Sequence, residues 1–346
     1  MTPTRWSTQV LLVTLVGLTI ASAVAGACIG AVDIAPAEVG RILLRRVASV
    51  GSGSASQEHD LVLWTIRLPR VALSLLVGAA LSLSGAALQG VFRNPLADPG
   101  LIGVSSGGAV GAAAAIVLGF SRFGIWTVPV AAFIGSLITT AAVFGLSFRS
   151  GRVEVVTLVL CGVAMNAFAG AGIGLLTALA SDTQLRDLAF WQLGSVGGAT
   201  WSAVGVLLPF VATALIGLPL LARNLDLLVI GEGEARHLGV DVERTRSIVI
   251  VIAAAACGAA VAMAGVLGFV GLIVPHLIRL LNGPRHRILL PASALGGAAL
   301  LTVADLLART VAAPRELPLG VLTSLIGAPV FLLLIHRTRQ SAGGFA

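Results

Sequence analysis

The sequence contains no lysine and no tyrosine, and charged residues make up only 11% of its 346 positions. An ordinary soluble domain is about 25% charged. All 22 basic residues are therefore arginine. A phosphate-binding loop of the G-x-x-x-x-G-K-[ST] type requires a lysine, so this chain cannot form one. If its activity uses ATP, we expect the ATPase to be a separate subunit.

Patterns typical of metal sites and of catalysis are also missing. Cys28, Cys161 and Cys257 lie singly in apolar runs without metal or redox spacing, so we predict that they are small buried hydrophobic residues. None of the five histidines belongs to an HExxH motif, and no G-x-S-x-G or catalytic carboxylate pair occurs. These absences argue against an enzyme and against a cofactor held by this chain.

Long apolar runs dominate what is present. The chain is 57% hydrophobic, with a mean hydropathy of +1.01. Runs of 18 or more apolar residues are typical of transmembrane helices. These runs are too long for barrel strands, and they are rich in Leu and Ala without the alternation that barrel strands show. We predict a single all-α, polytopic membrane domain over residues 1–346 with ten spans. The predicted spans are 9–31, 64–91, 96–118, 124–147, 154–179, 201–222, 246–270, 271–283, 288–312 and 318–337.

The arginine distribution predicts the topology. An even number of spans places both termini on one side, and the loops on that side carry most of the arginines. The positive-inside rule therefore places both termini in the cytoplasm. The net charge is +7, and the arginines that produce it are scattered singly between the spans. This distribution indicates topology signals rather than nucleic-acid binding. We interpret residues 10–31 as an uncleaved first span, because the apolar run is too long for a typical signal peptide.

An internal repeat relates the two halves of the chain. The segment GAALSLSG from Gly78 to Gly85 resembles GAAVAMAG from Gly258 to Gly265, and at the same offset Pro95 matches Pro275. The two spans involved run in opposite directions. We therefore predict an inverted-topology repeat, which many transporters contain; the abundance of Gly and Ala leaves coincidence as the alternative.

Arginines mark the start of the second span. Arg67 and Arg70 are three residues apart and share a helix face, and Pro69 suits a first helical turn. Cations at a helix N-terminus oppose the macrodipole, which suggests a use such as docking an acidic partner. Contact with lipid phosphates is the alternative. Arg309, at the far end of the ninth span, is four residues after Asp305 and could pair with it.

The segment NPLADPG at 94–100 predicts a break in the backbone, because two prolines four residues apart cannot continue a helix. Irregular backbone at membrane depth is tolerated only within protein or beside a water-filled cavity, which favours a functional break. Gly103, Gly107 and Gly111 then form a small-residue ridge that we predict to pack against another helix.

The fifth span carries Gly162, Asn166, Gly170 and Gly174 at intervals of four residues. This face either lines a pathway or seats a neighbouring helix. Packing is favoured for the glycines, and the two alternatives are balanced for the polar Asn166.

Residues 223–246 form the most charged segment of the chain. Gly231, Gly233 and Gly239 divide it into short helical pieces, and Asp241 could cap the next span. The segment is too short for a domain, so we predict a surface for a cytoplasmic partner.

Four motifs, in this order and spacing, resemble the FecCD-type permease family over residues 60–337. They are RLPR at 67–70, NPLADPGLIGVSSG at 94–107, GFVGLIVPHLIRL at 268–280 and ELPLGVLTSLIGAPVF at 316–331. These permeases are membrane subunits of type II ABC importers for iron-siderophores, haem and vitamin B12. The resemblance implies the ten-helix fold of the vitamin B12 permease, a homodimer with the pathway on its two-fold axis, and location in the bacterial inner membrane. It also implies two ATPase subunits that bind magnesium-ATP and a periplasmic binding protein.

The resemblance also implies roles for particular residues. Arg67, Arg70 and Arg309 match arginines that dock the binding protein. Asn94 and Leu96 match one cytoplasmic gate, and Glu154 and Val155 lie where a second gate is expected. The vitamin B12 importer has small hydroxyl residues at that second gate and this sequence does not. The family's coupling helices match 225–240, including Glu232, Glu234, Ala235, Arg236, His237, Leu238 and Gly239. Asn166 and Gly170 are candidate pathway residues from the pattern of the fifth span alone.

The stretch LRDLAFWQLGSVGGATW at 185–201 resembles haem permeases more than siderophore permeases, so we expect haem as the transported ligand. Siderophores and vitamin B12 are the alternatives within the family. An ion-coupled secondary transporter is a different class, for which Asp305 and Glu154 would be the candidate carboxylates. A purely structural subunit would not need the NPLADP break.

Overall fold

The fold is a bundle of helices. The computed structural model describes residues 6–48, 57–149 and 152–342. Almost all of these residues are helical, because a chain that crosses a bilayer must satisfy its backbone hydrogen bonds internally. Their apolar runs place apolar side chains on every face of the helix, as a membrane span requires. The α-helices are α1 Thr8–Cys28, α2 Pro36–Ala48, α3 Gln57–Val62, α4 Leu68–Val91, α5 Val104–Val117, α6 Thr127–Ser147, α7 Val155–Leu179, α8 Asp182–Leu193, α9 Trp201–Leu220, α10 Ala222–Ile230, α11 Glu232–His237, α12 Val242–Ala264, α13 Val270–Asn282, α14 His286–Thr310 and α15 Leu319–Ala342.

Within the described residues, seven helices are long and apolar enough to cross a membrane. Three shorter apolar helices are Val104–Val117, Val270–Asn282 and Leu319–Leu333. Each of the ten predicted spans overlaps one of these ten helices. The all-α polytopic fold is thus confirmed, and Pro275 lies within α13 without interrupting it.

Two short elements were not predicted. The predicted spans leave residues 32–63 as a loop, but the segment contains the helix α2, whose Val39 and Ile42 are buried against Ile34 and Leu63. Phe148–Arg149 (β1) and Arg152–Val153 (β2) form an antiparallel hairpin before α7, with Phe148 opposite Val153. Its pairs are too few to produce a sequence pattern.

The helix α4 is the centre of the bundle and packs against α9, α12, α13 and α14. Its small residues allow two neighbours to approach closely. A Cβ atom added to Gly78 would overlap the carbonyl oxygen of Gly297, and one added to Gly85 would overlap that of Gly271. Small residues permit this backbone-to-backbone packing in membranes, where water supplies no driving force between helices.

The prediction that Arg67 and Arg70 lie at the N-terminus of a helix was wrong. The residues Gln57–Val91 form one helix of 35 residues, and Leu63–Arg67 is a π-helical turn within it. Acidic Glu58 and Asp60 occupy its first turn, where they suit the macrodipole. Arg67 and Arg70 are therefore interior to a helix, and the electrostatic cost inferred from a helix N-terminus does not apply.

The two halves repeat the same order of elements. A long helix, a short helix and two long helices follow one another as α4–α5–α6–α7 and again as α12–α13–α14–α15. The residue-by-residue match at an offset of 180 does not hold throughout. Gly85 lies inside α4 whereas Gly265 ends α12, and Pro95 lies in a turn whereas Pro275 is helical.

The glycine ridge of α5 packs as predicted, and its partner is α6. A Cβ atom at Gly103 would contact Thr139, one at Gly107 would overlap the Gly135 carbonyl oxygen, and one at Gly111 would overlap the Ala131 carbonyl oxygen. Gly103 also has a φ of +80°, which favours glycine at the start of α5.

We predict that Gly111→Ala lowers the free energy of unfolding by about 1–3 kcal/mol, since the added methyl forces α5 and α6 apart. Thermal unfolding in detergent measures the loss. Gly145→Ala in α6 is the matched control, because no atom lies within 4 Å of the added methyl. Equal unfolding temperatures for the two variants would contradict close packing at Gly111.

Candidate transport pathway and coupling sites

An ion-pair cluster occupies one end of the bundle, where α4 and α14 meet the loop before α15. The Arg70 Nε donates to both carboxylate oxygens of Asp305, at 3.0 and 3.1 Å, and its two terminal nitrogens donate to Glu316 at 2.8 and 3.0 Å. Arg70 and Asp305 are buried, whereas the Glu316 side chain is 49% exposed. The hydrogen bond from Arg70 lowers the pKa of Glu316, so this carboxylate stays ionised.

The other two candidate docking arginines also have partners inside the chain. Arg67 is 3% exposed and donates to the carbonyl oxygens of Ala27, Cys28 and Val32. Arg309 donates to the Gly26 carbonyl oxygen, and its Nε lies 3.7 Å from Asp305, as the sequence spacing suggested. The structure thus brings the three arginines together. In this conformation each guanidinium binds acceptors inside the chain and none faces an open surface.

The NPLADP break lies at the opposite end of α4. Arg93, with a φ of 49°, ends the helix, and Pro99–Ile102 forms a 3-10 turn before α5. The Asn94 carboxamide oxygen accepts from the Leu96 backbone nitrogen at 2.9 Å, and Leu96 is 43% exposed. The predicted gate residues therefore form an exposed turn at the end of the bundle.

Buried polar groups hold this turn in place. Gln89 donates to the carbonyl oxygens of Ala97 and Gly271 and accepts from Arg279. Asp98 accepts from the Gly100 backbone nitrogen at 2.8 Å and so caps the 3-10 turn. The break is thus satisfied by protein groups, as irregular backbone at membrane depth requires. Gln89 cannot be singled out from the sequence, because an isolated amide in an apolar helix carries no spacing signal.

The helix α7 binds the same segment through Asn166. The Asn166 amide nitrogen donates to the Gly100 carbonyl oxygen at 3.2 Å, and its oxygen accepts from the Ser106 hydroxyl at 2.6 Å. A Cβ atom at Gly162 would overlap the Leu101 carbonyl oxygen, so Gly162 packs as predicted. Gly170 and Gly174 differ, since nothing within the chain lies within 4 Å of their Cβ positions.

The second predicted gate lies at the start of α7. Glu154 is exposed and accepts from the Thr157 hydroxyl at 2.6 Å, and its backbone nitrogen donates to the Ser147 carbonyl oxygen. Val155 is the first residue of α7 and is half-buried. Both residues directly follow the β1–β2 hairpin.

The segment 223–246 folds into α10, α11 and the start of α12. Gly231 and Gly239 separate these helices as predicted, whereas Gly233 lies inside α11 and the prediction that it divides the segment was wrong. Ala235 is fully buried, whereas Arg236, His237, Leu238 and Gly239 are exposed in one run, with Leu238 60% exposed. Glu234 is exposed and Glu232 is half-buried. The Asp241 side chain caps α12, as predicted, by accepting from the Arg244 backbone nitrogen.

A contact that the sequence did not reveal joins this segment to α14. Asp226 in α10 accepts from the His286 backbone nitrogen at 2.8 Å and lies 2.7 Å from the His286 Nδ1. Partial burial raises the pKa of Asp226, but the hydrogen bonds from His286 outweigh that effect and lower it below the ordinary value. The two residues are 60 positions apart, so no local pattern links them.

The bundle, the broken segment at one end of α4 and the compact charged segment beside it define the membrane permease of a type II ABC importer. The chain belongs to the FecCD transport family, which matches residues 17–337. It is 50% identical over 286 residues to the hemin transport system permease HmuU of Yersinia pestis, covering 81% of this chain and 84% of that protein. It is 46% identical over 277 residues to the cobalamin import system permease BtuC of Halobacterium salinarum, covering 80% and 74% of the two chains.

A solved structure agrees with the fold. An inward-facing putative metal-chelate type ABC transporter superposes with a TM-score of 0.83 at 33% identity, covering 96% of this chain and 100% of that one. The family resemblance inferred from the four motifs is thus confirmed. The residue roles at the docking, gate and coupling positions stay predictions.

We predict that Asp305→Asn lowers the free energy of unfolding by on the order of 3 kcal/mol, because it removes a buried counter-charge from Arg70 and Arg309. Asp60→Asn is the control, since the Arg46–Asp60 pair is about half exposed and worth about 0–1 kcal/mol. Chemical or thermal unfolding of both variants in detergent gives the comparison. A loss at Asp305 no larger than that at Asp60 would show that the cluster does not contribute to stability.

Proposed function

We propose that this chain is the permease through which a type II ABC importer carries haem across the bacterial inner membrane. The observation that supports haem is the 50% identity to a hemin permease, which extends through the 185–201 stretch that already favoured haem. Cobalamin is the second candidate, because a cobalamin permease is 46% identical over a similar length. A siderophore is a third.

The proposed assembly is a homodimer with two ATPase subunits and a periplasmic binding protein. The α7 face that carries Gly170 and Gly174 has open space in the single chain, which suits the close approach of a second helix. Both termini then lie in the cytoplasm. The α1 start supports this placement, since Trp6 contacts Leu281 and Asn282 at the same end as the 223–246 segment.

Docking of the binding protein would use Arg67, Arg70 and Arg309. Glu316 is the exposed member of their cluster, so an incoming carboxylate would compete with Glu316 for Arg70. At the other end, Asn94, Leu96, Glu154 and Val155 would close the exit. Asn166 connects the two gates, since it binds Gly100 after the first gate and lies on the helix that follows the second.

The secondary-transporter alternative is disfavoured by the same contacts. Asp305 is engaged by Arg70 and Arg309, so it is not a free carboxylate for ion coupling. Glu154 lies at a helix end and is exposed. Neither is placed midway along a span.

The substrate is tested by reconstitution in liposomes with the ATPase subunits. We expect a haem-loaded binding protein to stimulate both haem uptake and vanadate-sensitive ATP hydrolysis, with cobalamin and a ferric siderophore as parallel arms. Stimulation by cobalamin alone would replace haem with cobalamin. Uptake by the permease without ATPase subunits would overturn the importer mechanism.

The coupling surface is tested at Leu238. We expect Leu238→Glu to weaken co-purification with the ATPase by about tenfold or more, because a charge would enter an apolar contact. Ile125→Glu is the control, since Ile125 is 81% exposed in the α5–α6 connection at the opposite end. Equal ATPase recovery for both variants would argue against docking through Leu238.

A further inference from the structure

Arg246 is the largest fully buried side chain in the described part of the protein, with 1% exposure. It lies near the start of α12 and is the last residue of the segment 223–246. Burying a guanidinium is unfavourable unless charges and hydrogen-bond acceptors compensate it. The partners of Arg246 therefore indicate the role for which the buried guanidinium is retained.

Arg246 contacts three different elements. One terminal nitrogen donates to the Glu232 carboxylate at 2.6 Å, in the segment proposed to bind the ATPase. The other donates to the Val153 carbonyl oxygen at 2.6 Å, immediately before the proposed gate at Glu154. The same nitrogen lies 3.4 Å from Glu243 on its own helix.

The contact with Val153 is two-sided. The Glu243 carboxylate accepts from the Val153 backbone nitrogen at 3.0 Å, while Arg246 donates to the Val153 carbonyl oxygen. Both backbone groups of one residue are thus held by side chains of α12. Because Val153 precedes Glu154 directly, a shift of α12 or Glu232 changes the position from which α7 starts.

Glu232 also reaches the other gate. Its carboxylate lies 3.7 Å from the Arg93 guanidinium, and Arg93 is the left-handed residue that ends α4 just before Asn94. Arg236 adds contacts of 3.4 Å to Glu232 and 3.6 Å to Glu243. We call these five residues, Arg93, Glu232, Arg236, Glu243 and Arg246, the Arg246 cluster.

We infer that Arg246 is a positioning residue that transmits movement of the 223–246 segment to both gate segments through the Arg246 cluster. The inference rests on the proposed function. Stability alone does not account for the arrangement, because a buried ion pair is often no more stabilising than an apolar replacement. A planar guanidinium, in contrast, fixes two acceptors at once in a defined geometry, which a mechanical link between two segments requires.

The test measures gate movement without a transported ligand. A nitroxide attached at Leu96→Cys, with the three native cysteines replaced, reports the distance between the two subunits by pulsed electron paramagnetic resonance. We expect ATP with vanadate to shift this distance in the otherwise unaltered complex and to shift it little in Arg246→Met. Without the label and with Leu96 intact, Arg246→Met should move at least about fivefold less haem per ATP hydrolysed, the low end of allosteric couplings.

Two variants separate positioning from folding. Arg287→Met is the control, because Arg287 is an exposed arginine of α14 outside the segment 223–246, and it should retain the shift. Arg246→Lys should restore only part of the shift, since an ammonium lacks the planar pair of donors. If Arg246→Met does not assemble with the ATPase, Glu232→Gln decides by the same criteria.

A normal shift and a normal ligand-to-ATP ratio in an assembled Arg246→Met complex would overturn the inference. A shift that is present in the unaltered complex, together with no haem uptake, would remove haem as substrate and leave the inference standing. The absence of any ATP-driven shift in the unaltered complex would overturn both proposals.

Discussion

Every charge that this fold removes from water must be compensated inside the protein, because the bilayer offers no solvent to complete the hydrogen bonds. The chain has only arginine for its cations, and a guanidinium presents five donors in a fixed plane. Its buried arginines consequently bind several elements at once. Arg70 joins α4 to α14 and the following loop, and Arg246 joins α12 to α11 and the hairpin. The two ends of the bundle are organised around these contacts.

Between the two ends, α4 is packed so tightly that the distance between the ends stays nearly constant. The glycines of α4 let the backbones of α13 and α14 each contact the backbone of α4 directly. Such close packing leaves little room for adjustment. By contrast, the broken segment 93–103 is held by hydrogen bonds that Gln89 and Asn166 donate and by one that the Asp98 carboxylate accepts. Hydrogen bonds to a turn can exchange partners during a movement, whereas interlocked backbones cannot. A rigid α4 and an adjustable segment 93–103 suit a protein in which the bundle keeps its length while one end changes shape.

The sequence was sufficient for features that depend on composition and local period. The ten spans follow from apolar runs, the break at NPLADP from prolines, and the α5–α6 packing from Gly103, Gly107 and Gly111. Features that depend on tertiary pairing were not accessible. The partners of Arg246 lie in segments up to 93 residues away, and Asp226 meets His286 across 60 residues. The π-helical turn before α4 was not predicted either. Its residues also occur in α-helices, and only the spacing of its backbone hydrogen bonds distinguishes it.

The π-helical turn at Leu63–Arg67 lies where the short helix α3 continues into α4. Arg67 binds the carbonyl oxygens of Ala27 and Cys28 at the end of α1, while Arg70 binds Asp305 in α14. A π-helical turn amounts to one residue inserted into an α-helix. Related chains that lack this insertion would keep both arginines in sequence and yet present the preceding residues Gln57–Val62 rotated by about 100° about the helix axis. The length of this segment therefore carries information that residue identity alone does not.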